Sequence, residues 1–155
     1  MKALVLYDSV FGNTEEIARA VGRGLGADVT VVSVKNATQD DLCGVDLLVV
    51  GSPTRSFSAT PELLAFLQAL PDDGLKAVKS AAFDTRIDVK TIPFLFRGIV
   101  DKGGYAAPLI AKLLEQKGAV LLVPPQAFFV KDHEGPLRTG EVDNAEDWAR
   151  GIVRQ

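Results

Sequence analysis

The chain carries one cysteine, Cys43, and one histidine, His133, among 155 residues. A single thiol excludes an intrachain disulfide framework and any multi-cysteine zinc or iron–sulfur centre, and a single imidazole excludes a histidine-rich metal site. Basic residues are also in short supply. There are 17 Lys and Arg against 20 Asp and Glu, a net charge of −3, whereas a nucleic-acid binder shows a basic excess. Long apolar runs are missing too: the longest, Ala119–Val130, spans 12 residues and holds Pro124 and Pro125, too short for a bilayer. No basic segment, apolar stretch and small-residue cleavage site open the chain, so a cytoplasmic location is expected, with neither membrane nor nucleic acid as partner. Without a secretory context the sequon Asn36-Ala37-Thr38 reads as an ordinary loop. Repeats, low-complexity tracts and linkers are absent, which leaves a single domain over residues 1–155. Such a domain buries roughly 70% of the surface its unfolded chain exposes and needs no covalent staple.

What is present is an alternation. β-rich runs occur at Ala3–Tyr7, Val29–Val34, Asp46–Gly51, Ser80–Thr85 and Ala119–Val123, the last resuming at Phe128–Val130. Helical periodicity separates them: Ile17, Val21 and Leu25; Leu63, Leu64, Phe66, Leu67 and Leu70 behind Pro61; Leu109, Ile110, Leu113 and Leu114; and Ala145, Trp148, Ala149 and Ile152. The connector Ala37–Val45 has room for a short helix capped by Thr38 or Asp40. Runs such as Leu47-Leu48-Val49-Val50 are apolar on both faces, as in a parallel strand covered by helices on two sides. The expected fold is therefore α/β, a doubly wound five-stranded parallel sheet in a three-layer sandwich. In that architecture ligands bind beyond the carboxyl ends of the strands, so chemistry is sought in the loops that follow them.

After the first strand comes Asp8-Ser9-Val10-Phe11-Gly12-Asn13-Thr14, leading straight into a helix. Unpaired N–H groups at a helix start suit a phosphate, and Ser9, Asn13 and Thr14 add side-chain donors. The segment itself has no Lys or Arg, so a phosphate there would rest on neutral donors. The structural alternative is simple N-capping by Asn13 or Thr14. The pattern does not match G-x-x-x-x-G-K-[ST], and Gly22, Gly24 and Gly26 end a helix instead of opening one, with Gly26 as its C-cap.

Ser9-Val10-Phe11-Gly12-Asn13-Thr14 resembles the FMN-phosphate loop of the flavodoxin family. Gly51-Ser52-Pro53-Thr54-Arg55-Ser56-Phe57-Ser58-Ala59-Thr60-Pro61 is similar to the family's second flavin loop, in the Ser-Pro-Thr form of quinone reductases. Only Pro124-Pro125-Gln126-Ala127 separates the last strand segments, as in short-chain members. The resemblance implies FMN as cofactor. It assigns Ser9, Phe11, Gly12, Asn13 and Thr14 to the phosphate, with a backbone N–H from Val10. It places Ser52, Pro53, Thr54 and Arg55 at the ribityl chain and ring edge, Phe57 as an aromatic wall, and Asp84 in the third flavin loop.

The third loop departs from the family pattern. Phe83-Asp84-Thr85-Arg86 leads into a long segment ending at Gly104, in which Ile92-Pro93-Phe94-Leu95-Phe96 is apolar. Phe94, Phe96 and Tyr105 are candidates for the family's stacking aromatic, with a satellite cluster or a homodimer contact as the alternative. Arg86, Lys90, Arg97 and Lys102 outweigh Asp88 and Asp101 there, where flavodoxins are acidic. A basic surround favours an anionic reduced flavin, so any bound FMN is expected to be a weaker reductant than in typical flavodoxins.

Elsewhere, Cys43 reads as a buried thiol, Lys131–Pro136 as a solvated turn, Trp148 and Tyr7 as core, and Asp8 as pointing away from the phosphate. The function implied is an electron carrier between redox partner proteins, in which no side chain is catalytic. Two others stay open: an FMN-dependent NAD(P)H:quinone-type reductase, and a flavin-free flavodoxin-like binding or regulatory domain.

Overall fold

A computed structural model describes residues 1–26, 28–91, 94–95 and 104–155. Among these residues six strands form one sheet: β1 (Ala3–Tyr7), β2 (Val29–Ser33), β3 (Leu47–Pro53), β4 (Lys79–Ile87), β5 (Val120–Leu121) and β6 (Gln126–Val130). The order is β2-β1-β3-β4-β5, and every pairing is parallel. β5 and β6 both pair with β4, β5 opposite Lys79 and Ser80 and β6 opposite Phe83–Ile87. The expected fifth strand therefore occupies one sheet position in two pieces, split around Pro124 and Pro125, which have no N–H to give a ladder.

Among the described residues, four α-helices cover the sheet: α1 (Asn13–Leu25), α2 (Pro61–Gln68), α3 (Ala106–Gln116) and α4 (Glu141–Val153). Alternation along the strands sends side chains to both faces. Leu4, Leu6, Leu48 and Val50 meet Leu63, Leu67, Ile110 and Leu114 of α2 and α3 on one side. Ala3, Val5, Tyr7, Val49 and Phe83 meet Ile17, Val21, Ala145 and Ile152 of α1 and α4 on the other. Trp148 sits edge-on to Phe83 and Phe128, ring centroids 6.1 and 5.8 Å apart. Tyr7 is buried, as expected.

The glycines near the end of α1 serve packing. A Cβ on Gly24 would collide with the Glu146 carbonyl oxygen and lie 2.7 Å from the Ala149 Cβ, so α1 and α4 touch backbone to backbone. Gly26 is the C-cap, with φ 96°.

The connector between β2 and β3 holds a 3-10 turn, Gln39–Leu42, with Thr38 as its N-cap and the Asp41 carboxylate accepting the Thr38 N–H at 2.8 Å. Cys43 is exposed, not buried. Its neighbours Leu42 and Val45 are the residues that reach the core, and the chain turns outward between them. Two strands run further than expected, β3 to Pro53 and β4 to Ile87, so Ser52, Pro53, Arg86 and Ile87 are strand residues. Among the described residues, no helix is long and apolar enough to cross a membrane.

Candidate functional site

The loops beyond β1, β3 and β6 and the end of β4 enclose a cleft of about 230 Å3. Nine predicted residues line it: Ser9, Val10, Phe11, Asn13, Thr14, Pro53, Thr54, Arg55 and Phe57. The other three, Gly12, Ser52 and Asp84, do not line it: Gly12 is exposed, and Ser52 and Asp84 are buried behind the wall.

Gly12 is the N-cap of α1, in the left-handed region at φ 93°, with no side-chain capping bond. Capping by Asn13 or Thr14 therefore does not occur. The Ser9 hydroxyl accepts the N–H groups of Gly12 (3.1 Å) and Glu15 (3.3 Å), which folds the loop over itself. The Thr14 hydroxyl is bonded to that of Thr85 at 2.8 Å, tying the first loop to β4. Among the described residues, the N–H groups of Val10, Phe11, Asn13 and Thr14 have no acceptor. Four unused donors at and before a helix start can serve as a cradle for an anion. Asp8 is buried and accepts the Ser9 N–H at 2.9 Å; its side chain lines a neighbouring cavity with Lys35, not this cleft.

In the second loop, Arg55 and Ser58 exchange backbone hydrogen bonds of 2.8 and 3.0 Å around Ser56 and Phe57. Both central residues have positive φ, 49° and 64°, a conformation that Asn and Gly normally supply. This turn holds the Phe57 ring at the cleft mouth, 45% exposed. Behind it, the Ser52 hydroxyl accepts the Thr60 N–H at 3.0 Å, fixing the approach to α2. The Arg55 guanidinium lies over the Phe11 ring, 5.4 Å from its centroid. The first loop thus borrows a cation from the second, which its own sequence does not show.

The end of β4 carries a polar lock. Arg86 donates to both carboxylate oxygens of Asp84, at 2.8 and 2.6 Å, and the Asp84 Oδ2 also accepts the Ala107 N–H at 2.9 Å. The Thr54 hydroxyl accepts the Ala106 N–H at 3.0 Å. Side chains from the residue following β3 and from β4 therefore cap α3, whose own N-cap residue, Tyr105, makes no side-chain capping bond. The Arg86 guanidinium lies 3.6 Å from the Tyr105 ring centroid. Tyr105 lines the cleft, whereas Phe94 and Leu95 are exposed, at 80% and 83%. Phe96, Arg97, Asp101 and Lys102 lie outside the described residues.

No Asp or Glu lines the cleft among the described residues, whereas Arg55, Arg86 and His133 do. Two groups nearby are shifted. Burial, aided by the Glu15 carboxylate, raises the Tyr7 phenol above its usual value. The Lys90 N–H and the Arg138 guanidinium, 2.9 Å away, hold the Asp88 carboxyl below its usual value.

The β6–α4 turn belongs to the site as well. The His133 ring meets Phe11 edge-on at 5.6 Å, and the Asn13 amide donates to the Glu134 carbonyl at 3.0 Å. Gly135 makes this approach feasible: it has φ 105°, and a Cβ there would lie 2.5 Å from the Asn13 Oδ1. The turn is solvated, as expected, with Lys131, Asp132, His133 and Glu134 exposed, yet His133 also lines the cleft. It too follows a parallel strand, so the rule that singled out the other loops applies to it equally.

The sheet order, the helix-start cradle and the aromatic-rimmed cleft define a flavodoxin-like α/β domain. A family model described as a flavodoxin domain matches residues 4–91, more than half of the chain, and the chain belongs to that family. The match includes the first two cleft loops and the Asp84–Arg86 lock. A flavodoxin of Aquifex aeolicus is 42% identical over a region covering 34% of this chain and 31% of that protein. An NAD(P)H dehydrogenase (quinone) of Cupriavidus metallidurans is 34% identical, covering 43% and 45%. The chain thus spans less than half the length of these curated relatives. An archaeal flavodoxin structure superposes with a TM-score of 0.78 at 23% identity, over 99% of this chain and 97% of that one. Flavodoxin 1 of Bacillus cereus gives 0.77 at 17% identity, over 100% and 99%. At those identities the likeness is one of fold.

Proposed function

We propose that the chain binds FMN in this cleft and carries electrons between redox partner proteins, as a single-domain cytoplasmic carrier. The observation that supports it most is the set of unused N–H groups at Val10, Phe11, Asn13 and Thr14 beside a cleft edged by Phe11, Phe57 and Tyr105. A phosphate takes the donors; a flat ring takes the apolar and aromatic walls. When bound, the flavin supplies the electron chemistry. The chain's own residues bind and orient it. The cradle fixes the phosphate end, Pro53, Thr54 and Arg55 flank the ribityl chain and ring edge, and the Phe57 turn shields one side from water. Ser52 and Asp84 act through the loops and helix they hold, so they are positioning residues under this reading.

Titrating FMN into the purified protein tests it. One equivalent should bind, quench the flavin fluorescence and leave a yellow complex after gel filtration, and riboflavin, which lacks the phosphate, should bind more weakly. Free FMN passing through unchanged supports the flavin-free reading instead. Similarity to an NAD(P)H dehydrogenase (quinone) favours a reductase as the second reading. Steady oxidation of NAD(P)H with a quinone acceptor by the FMN complex would select it.

A further inference from the structure

The sign of the charge inside the cleft points beyond flavin binding. Arg55, Arg86 and His133 line the cleft, and among the described residues no Asp or Glu does. Of the buried aspartates, Asp84 is fully enclosed and held by Arg86 and the Ala107 N–H, and Asp8 accepts the Ser9 N–H beside a neighbouring cavity that Arg55 also lines. Arg55 differs from Arg86. It is half-buried, pairs with no carboxylate among the described residues, and rests only on the Phe11 ring. A cation that is neither paired nor fully hydrated is available to a charge that appears beside it.

Two electrons and one proton taken up by a neutral oxidised flavin ring leave that ring with one negative charge. We propose that this cleft binds the reduced, anionic flavin more tightly than the oxidised one, and that Arg55 is a specificity-determining residue for that preference. The inference rests on the cleft being the FMN site. It names the kind of exchange the site favours: accepting electrons from a donor of modest reducing power, instead of holding a strongly reducing flavin for delivery.

The test is the ratio of dissociation constants for oxidised FMN and for FMN reduced anaerobically with dithionite, measured on the intact chain. The phosphate has the same charge in both oxidation states, so its contribution cancels from the ratio. Wild type should bind reduced FMN more tightly. Arg55→Lys should keep most of that preference. Arg55→Gln should lower it about tenfold, the order expected for one unit charge acting across a partly hydrated cleft, and Arg55→Glu should lower it further. No carboxylate is stranded by these changes, and circular dichroism verifies the fold. Equal weakening of both oxidation states in Arg55→Gln would assign Arg55 to the phosphate alone and overturn the inference, as would a wild type that binds oxidised FMN more tightly; in either case the flavin-site reading stands. Failure of wild type to bind oxidised FMN at all would remove both.

Discussion

Arg86 lies over the Tyr105 ring, guanidinium carbon 3.6 Å from the centroid, while the same guanidinium grips the buried Asp84 through two hydrogen bonds. A fork held on one side by a carboxylate and on the other by a ring has one geometry, and a lysine cannot reproduce it. The contact joins the end of β4 to the residue that opens α3. Removing Arg86 would leave the Asp84 carboxylate with the Ala107 N–H as its remaining hydrogen bond in a fully buried site. Arg86→Ala is therefore expected to cost about 3 kcal/mol, read from the urea midpoint. The double variant Asp84→Asn, Arg86→Gln, which strands no charge, should recover much of it.

Thr14 and Thr85 form a second cross-link, hydroxyl to hydroxyl at 2.8 Å, with both residues buried. Reading the sequence alone, Thr14 is a phosphate donor; in the structure its hydroxyl already holds β4. Thr14→Val leaves Thr85 unsatisfied and should lower stability by about 1–2 kcal/mol in the absence of FMN. Thr14→Val with Thr85→Val should come close to wild type, a non-additivity that a pure phosphate role for Thr14 would not produce.

Tyr7 gives the molecule an alkaline limit. Its phenol is raised by burial and by the Glu15 carboxylate, so the folded state holds the proton more tightly than the unfolded one. This contribution is fully present below about pH 10, the ordinary tyrosine value, and is lost as pH rises through the folded value. Denaturant unfolding of wild type should show stability falling above about pH 10, and Tyr7→Phe should fall less steeply over the same range.

The fold was legible because its signals are periodic. Doubly apolar strands and the four-residue spacing of Ile17, Val21 and Leu25 depend on neighbours close in sequence, and both place residues in the core. The first two cleft loops were legible as short motifs at strand ends. What stayed hidden depends on contacts distant in sequence. Asn13 meets Glu134 across 121 positions, and Arg55 lies over Phe11 from another loop. Nothing local to Lys131–Pro136 marks it as a wall of the cleft; only the topology does. Cys43 was misplaced for the converse reason: a hydrophobic thiol between Leu42 and Val45 looks like core, but only its two neighbours face inward.

The turn at Ser56 and Phe57 separates stability from binding. Both residues have positive φ, 49° and 64°, in a two-residue loop closed by the paired Arg55 and Ser58 backbone bonds. Side chains in that region cost about 1 kcal/mol or more each. Ser56→Gly removes one such cost at an exposed position, and thermal unfolding should show a gain of about 1 kcal/mol. Phe57→Gly relieves the same kind of strain, and the half-exposed ring gives up little packing energy. Its removal should therefore also raise stability while weakening FMN several-fold, the order of one aromatic contact of about 1 kcal/mol. Opposite signs from one substitution would identify the strained turn as held for the ring it presents. Loss of both stability and affinity would instead make Phe57 an ordinary packing residue.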